Sequence, residues 1–210
     1  MLILPKHIHQ SYCYIADNPI HRQLVKGWGI RCTLPEWVSQ SDVSKALFDA
    51  SGVRTVKACE QHFGPFVWAT EFANVHSTFY FEPKPIVVDD EEYANSEAYY
   101  QSMKSFGQSD HEQAKSVIRN ANPMDAFSLG RSYSRRPDWY DVSVEMMRKA
   151  IKAKFTQDQA LRELLLSTCE HPLVHIKGDS FWGSGYDGRG RNMLGVLLQD
   201  LRSQMRQGIV

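Results

Sequence analysis

No apolar run in this sequence approaches the length of a membrane span. The opening stretch Met1-Leu2-Ile3-Leu4, closed by Pro5 and Lys6, is far shorter than the hydrophobic centre of a signal peptide. Neither sign of charge is in excess, with 24 Lys and Arg against 24 Asp and Glu. That balance leaves no footprint for general nucleic-acid binding or an anionic membrane surface, although a local basic site is compatible with it. Cysteine is scarce and scattered. Cys13, Cys32, Cys59 and Cys169 form no Cys-x-x-Cys pair, so they read as reduced thiols of a cytoplasmic protein, not a disulfide framework or zinc site. His7 and His9 lie close together, but nothing nearby completes a ligand set; no metal and no cofactor is expected. Internal repeats and low-complexity tracts are absent too.

What the chain does have is 42% hydrophobic and 11% aromatic residues, enough for one sizeable core with a short appended segment. Residues 1–59 read as an N-terminal extension, a cap packed on the main domain or an oligomer contact. Within it a helical pattern follows Leu34-Pro35-Glu36-Trp37 through Val43, Leu47 and Ala50 to Ser51-Gly52. Residues 60–210 read as the main domain, helix-dominated with a few short strands. Thr78–Phe81 and Ile86–Val88 are predicted strands, with a turn at Asp89-Asp90. Helices are expected from Asp110, with Gln113 as a loose capping box, and from Asn122-Pro123 to Gly130. A longer one runs from Asp138 to Phe155, burying Trp139, Val142, Met146 and Ile151. Thr156 and Gln159 suggest a capping box for the next, and Pro172–Ile176 a strand. Asn192 is expected to cap a final helix with Leu194, Leu197, Leu198 and Leu201 on its apolar face.

Two stretches carry chemistry. In Ser96–Phe106, Glu97, Gln101 and Lys104 fall on one helical face, within about 60° at the helical period. Asn95 or Ser96 would cap that helix, and Tyr99, Met103 and Phe106 form an opposite stripe that reads as core. A carboxylate, an amide and an amine in line could hold and ionise a polar substrate; alone, they read more readily as a solvated face. The second stretch, Asp179 to Gly195, has Gly183, Gly185, Gly188 and Gly190 ahead of a helix N-terminus, with Arg189 and Arg191 beside them. Such a loop could bring backbone N–H groups to a phosphate, although its spacing is neither a P-loop nor a Rossmann fingerprint.

Further motifs accompany these in a fixed order: Phe72-Ala73-Asn74, Ser96-Glu97-Ala98-Tyr99-Tyr100-Gln101-Ser102-Met103-Lys104, Asn122-Pro123, Leu129-Gly130-Arg131, Arg136-Pro137-Asp138-Trp139, Lys154-Phe155 and Asp179 to Gly195. The set, spread over residues 66–205, resembles the NADAR, or YbiA-like, family. The resemblance implies a compact, mostly helical α+β domain that hydrolyses N-glycosidic bonds. Its expected substrate is a phosphorylated ribosylamine of the riboflavin-intermediate type or an ADP-ribosylated guanine base. The alternative is a non-catalytic module binding ADP-ribose or a nucleotide. Ala73 and Val75 depart from the pattern, residues 76–83 look inserted, and Ser143 stands where Lys or Arg is common, so substrate identity transfers least.

Breaking a ribosyl C–N bond develops oxocarbenium character on the sugar. On this resemblance Glu97 is expected to stabilise that cation, and Asp179 to hold ribose hydroxyls or activate water, unless it only caps its loop. Lys104 is either a reactive amine that forms a Schiff base with the opened sugar or a partner of Glu97 or phosphate. Asn74, Gln101, Arg131, Trp139, Trp182, Gly183, Gly185, Arg189 and Asn192 complete the expected substrate-binding set. Trp139 and Trp182 would sandwich the base unless they are core, and Asn74 would bond base or ribose unless it is a turn residue.

Overall fold

A computed structural model describes residue 62, residues 67–68 and residues 84–210, except 169, 171, 176 and 186. The N-terminal extension with its expected helix, the Thr78–Phe81 strand, the 76–83 insertion and Asn74 lie outside the described residues. The fold is α+β and predominantly helical, as the sequence suggests. In chain order it runs β1 (Val67–Trp68), β2 (Ile86–Val88), β3 (Glu91–Tyr93), α1 (Ser96–Ser102) with a 3-10 turn at Met103–Ser105, and α2 (His111–Ile118). There follow α3 (Pro123–Leu129), α4 (Trp139–Gln157), α5 (Gln159–Ser167), β4 (Leu173–Val174) and α6 (Met193–Arg206). The described residues divide into two compact units, with the boundary inside α5 after Arg162. Among them no helix is long and apolar enough to cross a membrane.

The first unit spans residues 84–162. Asp89 and Asp90, at φ 52° and 63°, make a tight turn that pairs β2 with β3 antiparallel, Val88 opposite Glu91. Ile86 and Val88 point to the core and Val87 to solvent. The backbone groups of Val87 that face away from β3 are met by one side chain of α4. Val87 N donates to Gln157 Oε1 at 2.8 Å, and Gln157 Nε2 donates to Val87 O at 2.7 Å. Tyr93 then meets Tyr99 edge-on at 5.2 Å.

Asn95 starts α1. Its Oδ1 accepts from Ala98 N at 2.9 Å while its Nδ2 donates to Ala121 O at 2.8 Å. All seven residues of α1 are buried, which overturns the solvated-face alternative. The elements around it come close because the contact points are small: Ala98, Ala114, Ala126 and Ala150 are wholly buried in one cluster with Tyr99, Ile118 and Ala153. Tyr99 and Met103 join this core as expected. Phe106 does not: the tightening at Met103–Ser105 ends the helix, and Phe106 turns outward, 49% exposed, against His111 and Arg136.

Of the next three expected caps, one forms. Asp110 makes no cap bond to α2; its Oδ2 instead accepts from Ser134 N at 2.9 Å. Asn122 caps α3 as expected, accepting from Asp125 N at 3.0 Å, with Pro123 in the first turn. Thr156 lies inside α4, its hydroxyl donating to Lys152 O, and Asp158 takes over as the α5 cap by accepting from Leu161 N at 3.0 Å. Of the residues expected to be buried by α4, Trp139 and Ile151 are; Val142 and Met146 are only half-buried.

In the second unit β1 and β4 pair in parallel, Val67 opposite Leu173. Leu194, Leu197, Leu198 and Leu201 of α6 are buried as their spacing predicts. Asn192, however, is a left-handed residue (φ 50°) whose side chain caps nothing in α6. Its Oδ1 accepts from His175 N at 2.8 Å and its Nδ2 donates to Leu173 O at 2.8 Å, tying the end of β4 to the start of the helix. The helix comes near enough for this only because residue 195 has no side chain: a Cβ there would stand 2.7 Å from Asn192 Oδ1.

Candidate active site

The polar face of α1 points into the first unit. Glu97 is 4% exposed, and its Oε1 accepts from Gln101 Nε2 at 2.5 Å, the partner one helical turn on. A buried carboxylate is costly unless opposite charge accompanies it. Two amines provide that charge, since Glu97 favours the protonated form of both Lys104 and Lys154.

Lys104, on the 3-10 turn, has its proton affinity lowered chiefly by burial, with Glu97 opposing and the charges of Arg131 and Arg135 reinforcing the decrease. Its ammonium lies 5.9 Å from the ring centres of both Tyr100 and Trp139, which meet each other at 5.1 Å. Trp139 is buried, and its ring already borders Lys104 and Tyr100. The chain after α3 is fastened to the same turn where Arg136 N donates to Lys104 O at 2.7 Å.

Lys154 was not among the expected site residues. A signal for it does exist: Trp139, Ser143, Met147, Ala150 and Lys154 recur at helical spacing, all buried, so the lysine occupies a core position of an amphipathic helix. Burial pushes its amine down to about 8, with Glu97 opposing the shift. Because this pKa falls below its unfolded value, the folded state releases the proton first as pH rises. The lysine's penalty on folding should therefore be fully present below about pH 8 and relieved between there and the ordinary lysine range. Urea titrations of wild type against Lys154→Met should show wild type gaining stability relative to the variant across that window. Parallel profiles would mean that the amine titrates normally.

Gln101 is held from behind by α3. A Cβ built on Gly130 would stand 2.9 Å from Gln101 Cδ, and nearer still to Oε1. The backbone at Gly130 is ordinary right-handed helix, so Gly130→Ala acts through this collision alone. It should cost about 1–3 kcal/mol, read as a lower urea midpoint at unchanged slope.

The glycine loop is built differently from a phosphate cradle. Most of its described amides are bonded within the unit. Gly183 N donates to Asp179 O, Ser184 N to His175 O, Gly190 N to Ser184 O, and Asn192 N to Gly183 O. The first helical amides, Met193 N and Leu194 N, donate to Phe181 O and Trp182 O. The close packing that glycine permits admits the chain's own backbone: a Cβ on Gly190 would lie 2.7 Å from Gly185 N. Asp179 is exposed, and its Oδ1 accepts from Phe181 N at 2.8 Å and Trp182 N at 2.9 Å, the loop-capping alternative. Trp182 is half-buried, edge-on to Phe181, and Arg189 is exposed with its amide on Asp187 Oδ1 at 3.0 Å. Thus Glu97, Gln101, Lys104, Arg131 and Trp139 fall in the first unit with Lys154, whereas Asp179, Trp182, Gly183, Gly185, Arg189 and Asn192 fall in the second.

The family model of the NADAR domain matches residues 61–206. The chain belongs to the NADAR family. Among NADAR proteins, it is 41% identical over 128 residues to the N-glycosidase YbiA of Shigella flexneri, covering 60% of this chain and 78% of that protein. It is 38% identical over 130 residues to a riboflavin biosynthesis protein of Vibrio vulnificus, covering 60% of this chain and 35% of that one. An NMR structure of the E. coli protein YbiA superposes with a TM-score of 0.55 at 38% identity, over 63% of this chain and 79% of the other.

Proposed function

We propose that this NADAR protein is an N-glycosidase that cleaves the ribosyl C–N bond of a phosphorylated ribosylamine or of an ADP-ribosylated guanine base, without a metal. The observation that carries this reading is the buried Glu97 carboxylate, bonded to Gln101 and acting on two amines, one of them only half-buried. The names of its relatives, N-glycosidase among them, point the same way.

A ribosylamine opens to an imine at C1. The Lys104 amine, with its proton affinity lowered by burial, adds to that carbon; the base amine takes a proton and leaves. The lysine Schiff base so formed is positive, and water then adds to C1 and releases the sugar and the free amine. Glu97 offers negative charge to the cationic species in each step, and Lys154 balances that carboxylate from the core when no cation is present. The arrangement suits a catalyst better than a binder, because holding the phosphates of ADP-ribose does not by itself require a buried carboxylate between two amines. Asp179, committed to its own loop, has no step here.

The test is to incubate the protein, with EDTA present, with ribosylaminopyrimidine phosphates, ADP-ribosyl-guanine DNA and NAD, and to analyse the products by mass spectrometry. Release of free base or aminopyrimidine from one of the first two is the expected result. Binding without turnover of any would favour the ADP-ribose-binding alternative.

A further inference from the structure

With the amides of Gly183, Ser184, Gly190, Asn192, Met193 and Leu194 bonded to the chain's own carbonyls, most of the phosphate seat that the sequence suggests is taken. We infer that Arg131 and Arg135, on the chain between α3 and α4, form the binding site for the phosphate monoester of the substrate, beside the turn that carries Lys104. The inference rests on the glycosidase reading for its ligand but on separate residues for its geometry.

Both arginines are exposed, yet neither hangs free of the surface. The Arg131 guanidinium lies 4.2 Å from the centre of the Phe127 ring. That of Arg135 lies 4.9 Å from the Tyr140 ring, with Nη1 donating to Tyr140 Oη at 3.1 Å. Stacking on an aromatic face fixes the plane of a guanidinium and leaves its edge N–H groups pointing outward, the geometry that grips phosphate oxygens two at a time. Neither has a carboxylate partner among the described residues. Their neighbours do: Arg136 grips Asp138 through two bonds of 2.6 and 2.8 Å, Lys149 meets Asp89, and Arg148 meets Glu145.

Charge placement argues the same. The chain that carries both arginines is fastened to the Lys104 turn where Arg136 N donates to Lys104 O at 2.7 Å. The charges of Arg131 and Arg135 both lower the proton affinity of the Lys104 amine. A phosphate monoester, near two negative charges at neutral pH, answers two guanidinium groups.

The experiment is calorimetric binding of ribose 5-phosphate and of ribose at low salt. Wild type should bind the phosphorylated sugar at least about tenfold more tightly, the scale of one charge-assisted contact. Arg131→Gln and Arg135→Gln should each remove most of that preference, while Arg135→Lys should retain part of it. Ribose 5-phosphate carries no base to be cleaved, so its binding is read without turnover, and a failure of the glycosidase reading in turnover assays leaves this result standing by itself. The inference is overturned if wild type shows no preference or if either glutamine variant keeps the full preference. Loss of the preference in Arg189→Gln alone would also overturn it, by returning the phosphate to the glycine loop.

Discussion

Glu97→Gln should lower turnover by roughly 10²-fold or more on a verified substrate while binding the substrate nearly as well. The amide keeps the shape and can still bond to Gln101, but it removes the single negative charge that answers the developing cation. The substitution also leaves Lys104 and Lys154 without their common counterion, so both amines should lose protons more readily. Turnover within a few-fold of wild type would remove Glu97 from the mechanism. A large fall in ground-state affinity would assign it to binding instead.

The second large effect is expected at Lys104. Lys104→Arg preserves the charge over Tyr100 and Trp139 but cannot form an imine, and turnover should fall by at least roughly 10³-fold, as when a covalent nucleophile is lost. Reduction of the wild-type reaction with cyanoborohydride should leave the sugar attached to Lys104, as a peptide of increased mass. An adduct on Lys154 would move the nucleophile into the core of α4. No adduct, together with an active Lys104→Arg, would reduce Lys104 to a binding charge.

Much of the helical frame is legible in the chain because its signals are local. The Asn122-Pro123 start of α3 and the leucine face of α6 need only a cap and a 3.6-residue period, and both form as read. The pairing of Glu97 with Gln101 on α1 is legible for the same reason, whereas Lys104 lies on the 3-10 turn beyond it. What local pattern does not supply is the identity of the neighbour. Glycines at 190 and 195 look alike in sequence whether they admit a phosphate or the chain's own backbone, and here they admit backbone. Asn192 precedes a helix as a cap would, yet its amide serves β4. Lys154 stands out in the sequence only within a motif, because a buried lysine is exceptional and needs a partner from another element. That partner lies 57 positions earlier, at Glu97.

The burial of α1 has a consequence for how the molecule breathes. Seven residues are too few to hold a helix in water, so α1 exists only while the elements around it are in place. Its amides therefore have no route to solvent through fraying and exchange only when the surrounding unit opens. The carboxylate on which the chemistry is proposed to depend is thus carried by a segment that reaches solvent only when its unit opens. Any substitution that lowers the stability of the unit, even one far from Glu97, will shorten the time for which the reacting groups are assembled.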